Sequence, residues 1–334
     1  MLNDLKRLMQ PDFGNKIFDI SADEFETFAI NIFHFQYQHN PLYREYINTL
    51  GIYPDSISRI LQIPFLPIQF FKQREVRTTE FKPEAIFESS GTTLKESSKH
   101  FIRELDIYRH SFMRGFESFY GPVRNWCIIG LLPSYLERKN SSLVFMVNEL
   151  ISRSQHAESG FYLQDYDRLA NTLTNLEKRQ QKTLLIGVGF ALLDFGQAYP
   201  MKLNHTILME TGGMKGRKAE ITRQELHERL KNYFGLEIIH SEYGMTELLS
   251  QAYSKHNGIF TPVSWMRVLV RKDDDPFEVC ELGEGILNII DLANIYSVSF
   301  IASEDMGKIA SDGSFEIAGR LDHADLRGCS LLLL

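Results

Sequence analysis

The sequence predicts an α/β fold, and three observations carry that expectation. Apolar runs of strand length, Trp126 to Leu132, Thr183 to Val188 and Thr206 to Met209, alternate with amphipathic spans such as Ser142 to Ile151 and Asp165 to Arg179. Two capping-box patterns, Ser21-Ala22-Asp23-Glu24 and Thr222-Arg223-Gln224-Glu225, open further helical stretches. From Trp265 onward, Gly283, Gly285, Gly307, Gly313 and Gly319 are spaced among Val and Ile, which predicts a smaller β-rich region.

After the first capping box, Phe25, Phe28, Ala29, Ile32 and Phe33 share one helical face and predict a core-facing helix. Residues 40–67, rich in Pro and aromatics, read as a tight turn, a short helix and an extended lead. Leu105 to Tyr120 is helical in pattern, which would set its positive dipole end near an anion held by the segment before it. The longest apolar stretch, Leu184 to Leu193, is interrupted by Gly187 and Gly189 and stops at Asp194, and it is expected to be a buried strand and turn. Leu226, Leu230, Tyr233 and Phe234 line one face of a later helix ended by Gly235, and Leu236 to His240 is expected to follow as a strand. The chain shows neither internal repeat nor low-complexity tract.

With 334 residues the chain can bury a large core divided into packed lobes, and no linker announces an independent second domain. Hydrophobic residues make up 43% and charged residues 24%, and the net charge of -7 argues against a general nucleic-acid or anionic-membrane surface. Met1 to Gln10 lacks the apolar core of a signal peptide, and no stretch reaches the length of a membrane helix, so a cytoplasmic location is expected. Cys127, Cys280 and Cys329 are too few and too far apart for a disulfide framework or a zinc cluster. The first two read as structural; Cys329, in Arg327-Gly328-Cys329-Ser330, lies where burial is less assured.

Chemistry concentrates in a few segments. Ser89-Ser90-Gly91-Thr92-Thr93 packs four hydroxyls and a glycine into five residues, a composition suited to wrapping donors around a phosphate, and equally the composition of a surface loop. Three more segments fall where strand ends meet loops: Thr211-Gly212-Gly213, Tyr243-Gly244-Met245-Thr246-Glu247, and Ser303-Glu304-Asp305 with Gly319-Arg320-Leu321-Asp322. Taken singly they also read as a tight turn, a helix start capped by Thr246, and a hairpin turn beside a surface ion pair of Asp305 and Arg320.

In order and spacing these segments resemble the adenylate-forming superfamily of acyl-CoA synthetases, firefly-type luciferases and peptide-synthetase adenylation domains, across most of the chain. Ser89 to Thr93 is similar to that superfamily's phosphate loop, Gly212-Gly213 to its adenine-side turn, and Tyr243 to Glu247 to its Tyr-Gly-x-Thr-Glu signature. Asp305 matches the ribose-binding aspartate and Gly319 to Asp322 the Gly-Arg-x-Asp hinge. Leu132 to Arg138, Ser141-Ser142-Leu143 and Arg327 to Leu331 further resemble the acyl-protein synthetase family, the fatty-acid-activating component of bacterial bioluminescence reductases. The resemblance implies the large-domain fold of adenylate-forming enzymes, α/β with a smaller β-rich subdomain. It implies one domain over residues 1–334, with approximate subdomains at 1–120, 121–260 and 261–334, lacking the small C-terminal domain that carries the superfamily's adenylation lysine.

The same resemblance implies ATP-dependent activation of a long-chain carboxylic acid to acyl-AMP, then acyl transfer to an enzyme cysteine, with ATP and Mg2+ required. Ser89, Ser90, Gly91, Thr92 and Thr93 would cradle the β- and γ-phosphates, Thr246 would meet the α-phosphate and Glu247 would hold Mg2+. Gly212, Gly213, Tyr243 and Gly244 would border the adenosine, with Asp305 and Arg320 on the ribose hydroxyls. Cys329 stands as candidate acyl acceptor or as an inert thiol. A reductase, acyltransferase or carrier protein is the implied partner. The phosphate loop departs from the superfamily pattern in having Leu94 and Ser97 where Gly and Lys are usual, leaving Lys95 or Lys99 to supply the charge. Two other readings stay open: a ligase passing the acyl group to coenzyme A, a carrier thiol, an amine or a hydroxyl, and a non-catalytic nucleotide-binding scaffold. A P-loop NTPase and a dinucleotide oxidoreductase are disfavoured, because neither glycine motif is present.

Overall fold

In the computed structural model, residues 14–89, 97–132, 140–163, 165–212, 221–273 and 275–321 are described. Ser90, Gly91, Thr92, Thr93, Lys95, Gly213, Asp322 and Cys329 lie outside these residues. Thirteen strands among them form one mixed sheet. Its parallel half comprises β4 (Cys127–Leu131), β5 (Gly160–Phe161), β6 (Thr183–Gly187), β7 (Thr206–Glu210) and β8 (His240–Tyr243), in the order β8-β7-β6-β4-β5. β4 and β6 are buried at every position, as expected for strands covered by helices on both faces. The helices Ser142–Ser154, Tyr166–Lys178, Gly189–Ala198 and Arg223–Phe234 supply the crossovers.

Beyond β8 the pairing turns antiparallel through β9 (Ala252–Ser254), β10 (Ile259–Pro262) and β15 (Phe315–Arg320), then β14 (Phe300–Ile309), β13 (Gly283–Asp291), β11 (Met266–Arg271) and β12 (Val279–Cys280). Here lies the expected β-rich region. β1 (Leu66–Pro67) adds in parallel to β14, with Leu66 opposite Ile301. A separate hairpin joins β2 (Ala85–Glu88) to β3 (Lys99–Ile102).

The N-terminal helix Phe25–His39 forms as expected and buries Phe25, Ala29, Ile32 and Phe33. Its one fully buried polar side chain, Gln36, joins it to the far end of the chain. Gln36 Nε2 donates to the carbonyls of Asn294 (2.9 Å) and Ile295 (3.0 Å), and its Oε1 accepts from Ser299 N (3.0 Å). The next helix, Pro41–Thr49, starts on Asn40, whose Oδ1 accepts from Tyr43 N (3.0 Å) while its amide donates to Ser297 O (3.1 Å).

Four expectations need correction. Residues 184–193 are a strand only as far as Gly187; Gly189–Ala198 is a helix that carries Asp194 within it. Gly196 explains the tight seat of this helix, because a Cβ there would come within 2.9 Å of Phe234 and Tyr233. The strand expected over Leu236 to His240 begins only at His240, since Ile238 is exposed and only Ile239 packs inward. Cys280 is exposed, so only Cys127 fits the structural reading. The helix Leu105–Tyr120 is present, but its first N–H groups face the wrong end of the hairpin: Leu105 N donates to Glu84 Oε2 (2.7 Å), beside the Ala85–Ile102 pair. The hydroxyl-rich connection leaves from Glu88 and Lys99, roughly 10 Å farther along β2.

Replacing Gln36 by Leu would strand the Ser299 N–H and two carbonyls in the core. We expect the Gln36→Leu variant to lose at least about 2 kcal/mol of stability in urea unfolding, with the midpoint shifted and the m-value unchanged.

Candidate functional site

Glycine and hydroxyl segments gather at the carboxyl edge of the parallel strands. β7 and β8 are neighbours, with Glu210 opposite Ser241, so the residues that follow them emerge side by side. After β7 the chain turns at Gly212, whose φ of 72° lies in the left-handed region that favours glycine. The turn is fastened at both ends: Thr211 N donates to Gly187 O (3.0 Å), Gly189 N donates to Gly212 O (3.0 Å), and Gly212 N donates to Glu210 Oε2 (2.6 Å). The Thr211 hydroxyl is buried and has no hydrogen-bond partner among the described residues.

After β8 the chain passes Gly244 and forms a turn closed by Leu248 N donating to Met245 O (3.1 Å). Tyr243 to Glu247 is thus a strand end and turn, not a helix start. Gly244 leaves room for the Glu242 carboxyl, since a Cβ there would sit 2.5 Å from Glu242 Oε1 and displace it. Asp291 holds the chain beyond the turn. Its carboxylate accepts from Leu249 N (2.8 Å), Ser250 N (3.0 Å), Ala293 N (3.1 Å) and Ser250 Oγ (2.5 Å). Asn294 Nδ2 donates to Glu247 O (2.8 Å), completing the support.

The β2–β3 hairpin reaches the same turn. Its root is closed by Ser89 N donating to Ser98 O (3.0 Å) and Ser98 N donating to Ser89 Oγ (2.9 Å). His100 Nδ1 donates to Thr246 O (2.8 Å). Burial drives this imidazole down to about 4, so it is neutral and carries its proton on Nδ1. Glu247 is 5% exposed; burial raises its pKa, opposed by a hydrogen bond from Ser98, so the carboxyl lies directly at the base of the hydroxyl-rich connection.

Asp305 joins from β14. The Tyr243 hydroxyl donates to Asp305 Oδ2 (2.8 Å), and Arg320, its register partner on β15, places Nε 3.5 Å from Oδ1. The Asp305–Arg320 ion pair is real, and it is covered on one side: Asp305 sits against Tyr243, whereas Arg320 is exposed. Burial, reinforced by the Asp305 charge, keeps Tyr243 a neutral phenol. Among the described candidates, Ser89, Gly244, Thr246 and Glu247 thus meet at one turn and Tyr243, Asp305 and Arg320 continue from it, with Gly212 on the adjacent strand end.

Sequence reasoning missed His100, Asp291, Asn294 and Ser98, which hold the turn rather than face outward from it. It also missed a buried acid pair. Glu210 is pushed upward by burial, yet His227, Arg223, Ser241 and the Gly212 N–H together bring it below its ordinary value, so it is ionised. Glu242 is raised by burial and by the Glu210 charge to about 8. Glu242 is protonated in the native protein and ionised in the unfolded chain between about 4.5 and about 8. Its contribution to stability is therefore complete below about 4.5 and lost as pH rises through about 8. The Glu242→Gln variant mimics the protonated acid and is expected to flatten that decline in thermal unfolding between pH 5 and 9, and to raise stability at the alkaline end.

A search of curated proteins returns no match. Among solved structures, ATP-bound MatB from Rhodopseudomonas palustris aligns over 71% of this chain and 48% of its own, with 17% identity and a TM-score of 0.52. An ATP-bound RpMatB-BxBclM chimera aligns over 73% of this chain and 50% of its own, with 16% identity and a TM-score of 0.54. The chain therefore spans about half the length of these structures and shares their fold over that part. The family model for acyl-protein synthetase, LuxE, matches residues 13–334, and the chain belongs to that family.

Proposed function

We propose that the protein activates a carboxylic acid, by default a long-chain fatty acid, with ATP, and passes the acyl group to Cys329. The convergence of the Ser89–Ser98 hairpin root, the Thr246–Glu247 turn and the Tyr243–Asp305 pair on one edge of the sheet is the observation that carries this reading. It is supported by membership of the acyl-protein synthetase family and by a fold shared with two proteins solved with ATP bound. In this reading residues 1–334 are one domain. Within it, residues 1–120 supply the hydroxyl loop, residues 121–260 supply Gly212 and the Tyr243–Glu247 turn, and residues 261–334 supply Asp305, Arg320 and Cys329.

In the first step a carboxylate oxygen of the acid attacks the α-phosphorus of ATP, a P–O bond to the β-phosphate breaks, and pyrophosphate leaves. In the second, the Cys329 thiolate attacks the acyl carbon and AMP leaves, forming a thioester. Thr92 and Thr93, with Ser89, Ser90 and the Gly91 backbone, would hold the β- and γ-phosphates, and Thr246 the α-phosphate. Tyr243 would lie along the adenosine between Gly244 and the Gly212-Gly213 turn. Asp305 and Arg320, already paired with each other, would take the ribose hydroxyls.

The residues present fit Mg2+. Glu247 is a buried carboxyl whose ionised form burial disfavours, and a cation beside it would reverse that penalty. Among the described residues no cluster of three or more acidic, His or Cys side chains could hold a metal alone. One carboxylate completed by phosphate oxygens and water is the arrangement Mg2+ favours. Bound there, Mg2+ would neutralise charge on the phosphates. A reductase, acyltransferase or carrier protein would take the acyl group onward, and a cytoplasmic setting suits such a transfer; no helix among the described residues is long and apolar enough to cross a membrane.

Pyrophosphate exchange over carboxylic acids of graded length tests the first step. Exchange by the wild type with at least one acid is expected, and its absence with every acid despite ATP binding would favour a non-catalytic nucleotide-binding protein. Glu247→Gln should lower the exchange rate by roughly a hundredfold, the scale of losing one electrostatic contact in a closed site. Tyr243→Phe, which frees Asp305 from its phenol, should act chiefly on the KM for ATP. Covalent labelling by a radioactive acid should appear in the wild type and vanish in Cys329→Ser while exchange persists; equal labelling would move the acceptor elsewhere.

A further inference from the structure

A cavity of about 600 Å³ lies between the N-terminal third and the β-rich region. Ala302, Ser303 and Glu304 line it, whereas Asp305, the next residue along the strand, is bonded by Tyr243. Its size falls within the range of small-molecule sites, roughly 300–1,000 Å³. The walls are mostly apolar, with Leu50, Ile52, Phe65, Ile68 and Val279 among them, and Gln62, Gln69 and Glu304 add polar groups. Phe277, 55% exposed and so unusual for a large apolar side chain, stands at the rim.

One cation, Arg271, lines the chamber. Arg271, at the end of β11, donates from Nη1 to Leu287 O (3.3 Å) and Asn288 Oδ1 (2.6 Å), and from Nη2 to Ser303 O (2.7 Å). These three bonds fix the guanidinium plane and use both Nη1 hydrogens. They leave Nε–H and one Nη2–H, the edge that suits a carboxylate's two oxygens, without a protein acceptor among the described residues. No described carboxylate is within ion-pair distance of it. Glu304, on the same wall, instead accepts from Gln69 Nε2 (2.9 Å) and sits 3.7 Å from Arg320 Nε. A half-buried cation held rigid by backbone carbonyls, with Asp273 and Glu304 acting on it only from beyond ion-pair distance, gains from an anion placed directly on its open edge.

We propose that this cavity is a second, non-reacting binding site for a single-chain carboxylic acid, with the alkyl chain along the apolar walls and the carboxylate on the Nε–Nη2 edge of Arg271. The inference does not rest on the adenylation reaction. Arg320 lies 3.7 Å from Glu304 on the cavity wall and 3.5 Å from Asp305, so the chamber adjoins the edge where the hydroxyl loop and Glu247 meet, and neither Glu247 nor Ser89 is in its lining.

Calorimetric titration of the full chain with dodecanoate, dodecanol and dodecylamine tests it. Dodecanoate is expected to bind at least about tenfold more tightly than dodecanol, the worth of a charge-assisted bidentate contact, and dodecylamine more weakly still. Arg271→Gln should erase the preference for dodecanoate over dodecanol. Ile52→Trp, which fills the chamber, should remove this binding event for both ligands. Phe277→Glu changes an exposed residue, so it keeps the test open if Arg271→Gln does not fold; it should weaken dodecanoate binding while leaving dodecanol unaffected. Pyrophosphate exchange in Ile52→Trp and Phe277→Glu should match the wild type with any acid that supports it. Equal affinity for dodecanoate and dodecanol, unchanged dodecanoate binding in Arg271→Gln and Phe277→Glu, or a chamber closed to ligand by a segment of this chain would overturn the proposal. Loss of exchange in the wild type would instead count only against the adenylation reading.

Discussion

The turn after β8 exists in its observed shape because one buried carboxylate, Asp291, accepts four hydrogen bonds from the chain around it. A carboxylate at 0% exposure is strongly penalised by burial, which raises its pKa, and the four donors oppose that penalty. Removing the acid would leave three buried backbone N–H groups without partners. The geometry of Tyr243 to Glu247 is therefore set by a residue more than forty positions away, and a strand end becomes a rigid mount for Thr246 and Glu247.

From this mount the remaining elements are placed by single directional contacts. His100 ties the hairpin to Thr246, Asn294 ties Glu247 to the turn before β14, and Tyr243 ties β8 to Asp305. Neutral partners serve where a charge would be out of place: His100 is kept uncharged by burial, and Tyr243 remains a phenol. The acid pair beneath them follows the same logic, with Glu210 ionised on Arg223 and His227 and Glu242 protonated beside Gly244.

Much of this arrangement was legible in the chain because its signals are local. Tyr243-Gly244-Met245-Thr246-Glu247 announces itself through five adjacent residues, and the amphipathic helices through a period of 3.6. The supporting residues were not legible, because nothing next to them in sequence marks them. Gln36 meets Ser299 across 263 positions and His100 meets Thr246 across 146, and each looks like any other polar residue in an apolar run. The misread stretch 184–193 failed for a related reason: a short apolar run fits a buried strand and a buried helix equally, and Gly196 against Phe234 decides between them only in three dimensions. The position of the helix Leu105–Tyr120 was misjudged because its order after the hydroxyl loop says nothing about which end of the hairpin it leaves from.

The bonds from Gln36 to residues 294–299, and the parallel pairing of Leu66 with Ile301, also bear on how the molecule is made. On a ribosome releasing the chain at about 5–20 residues per second, the first helix would wait on the order of ten seconds or more before its partners emerge. During that interval Phe33 lacks Phe300 of β14 and Gln36 lacks its partners, so newly synthesised molecules present this helix as a target for chaperones.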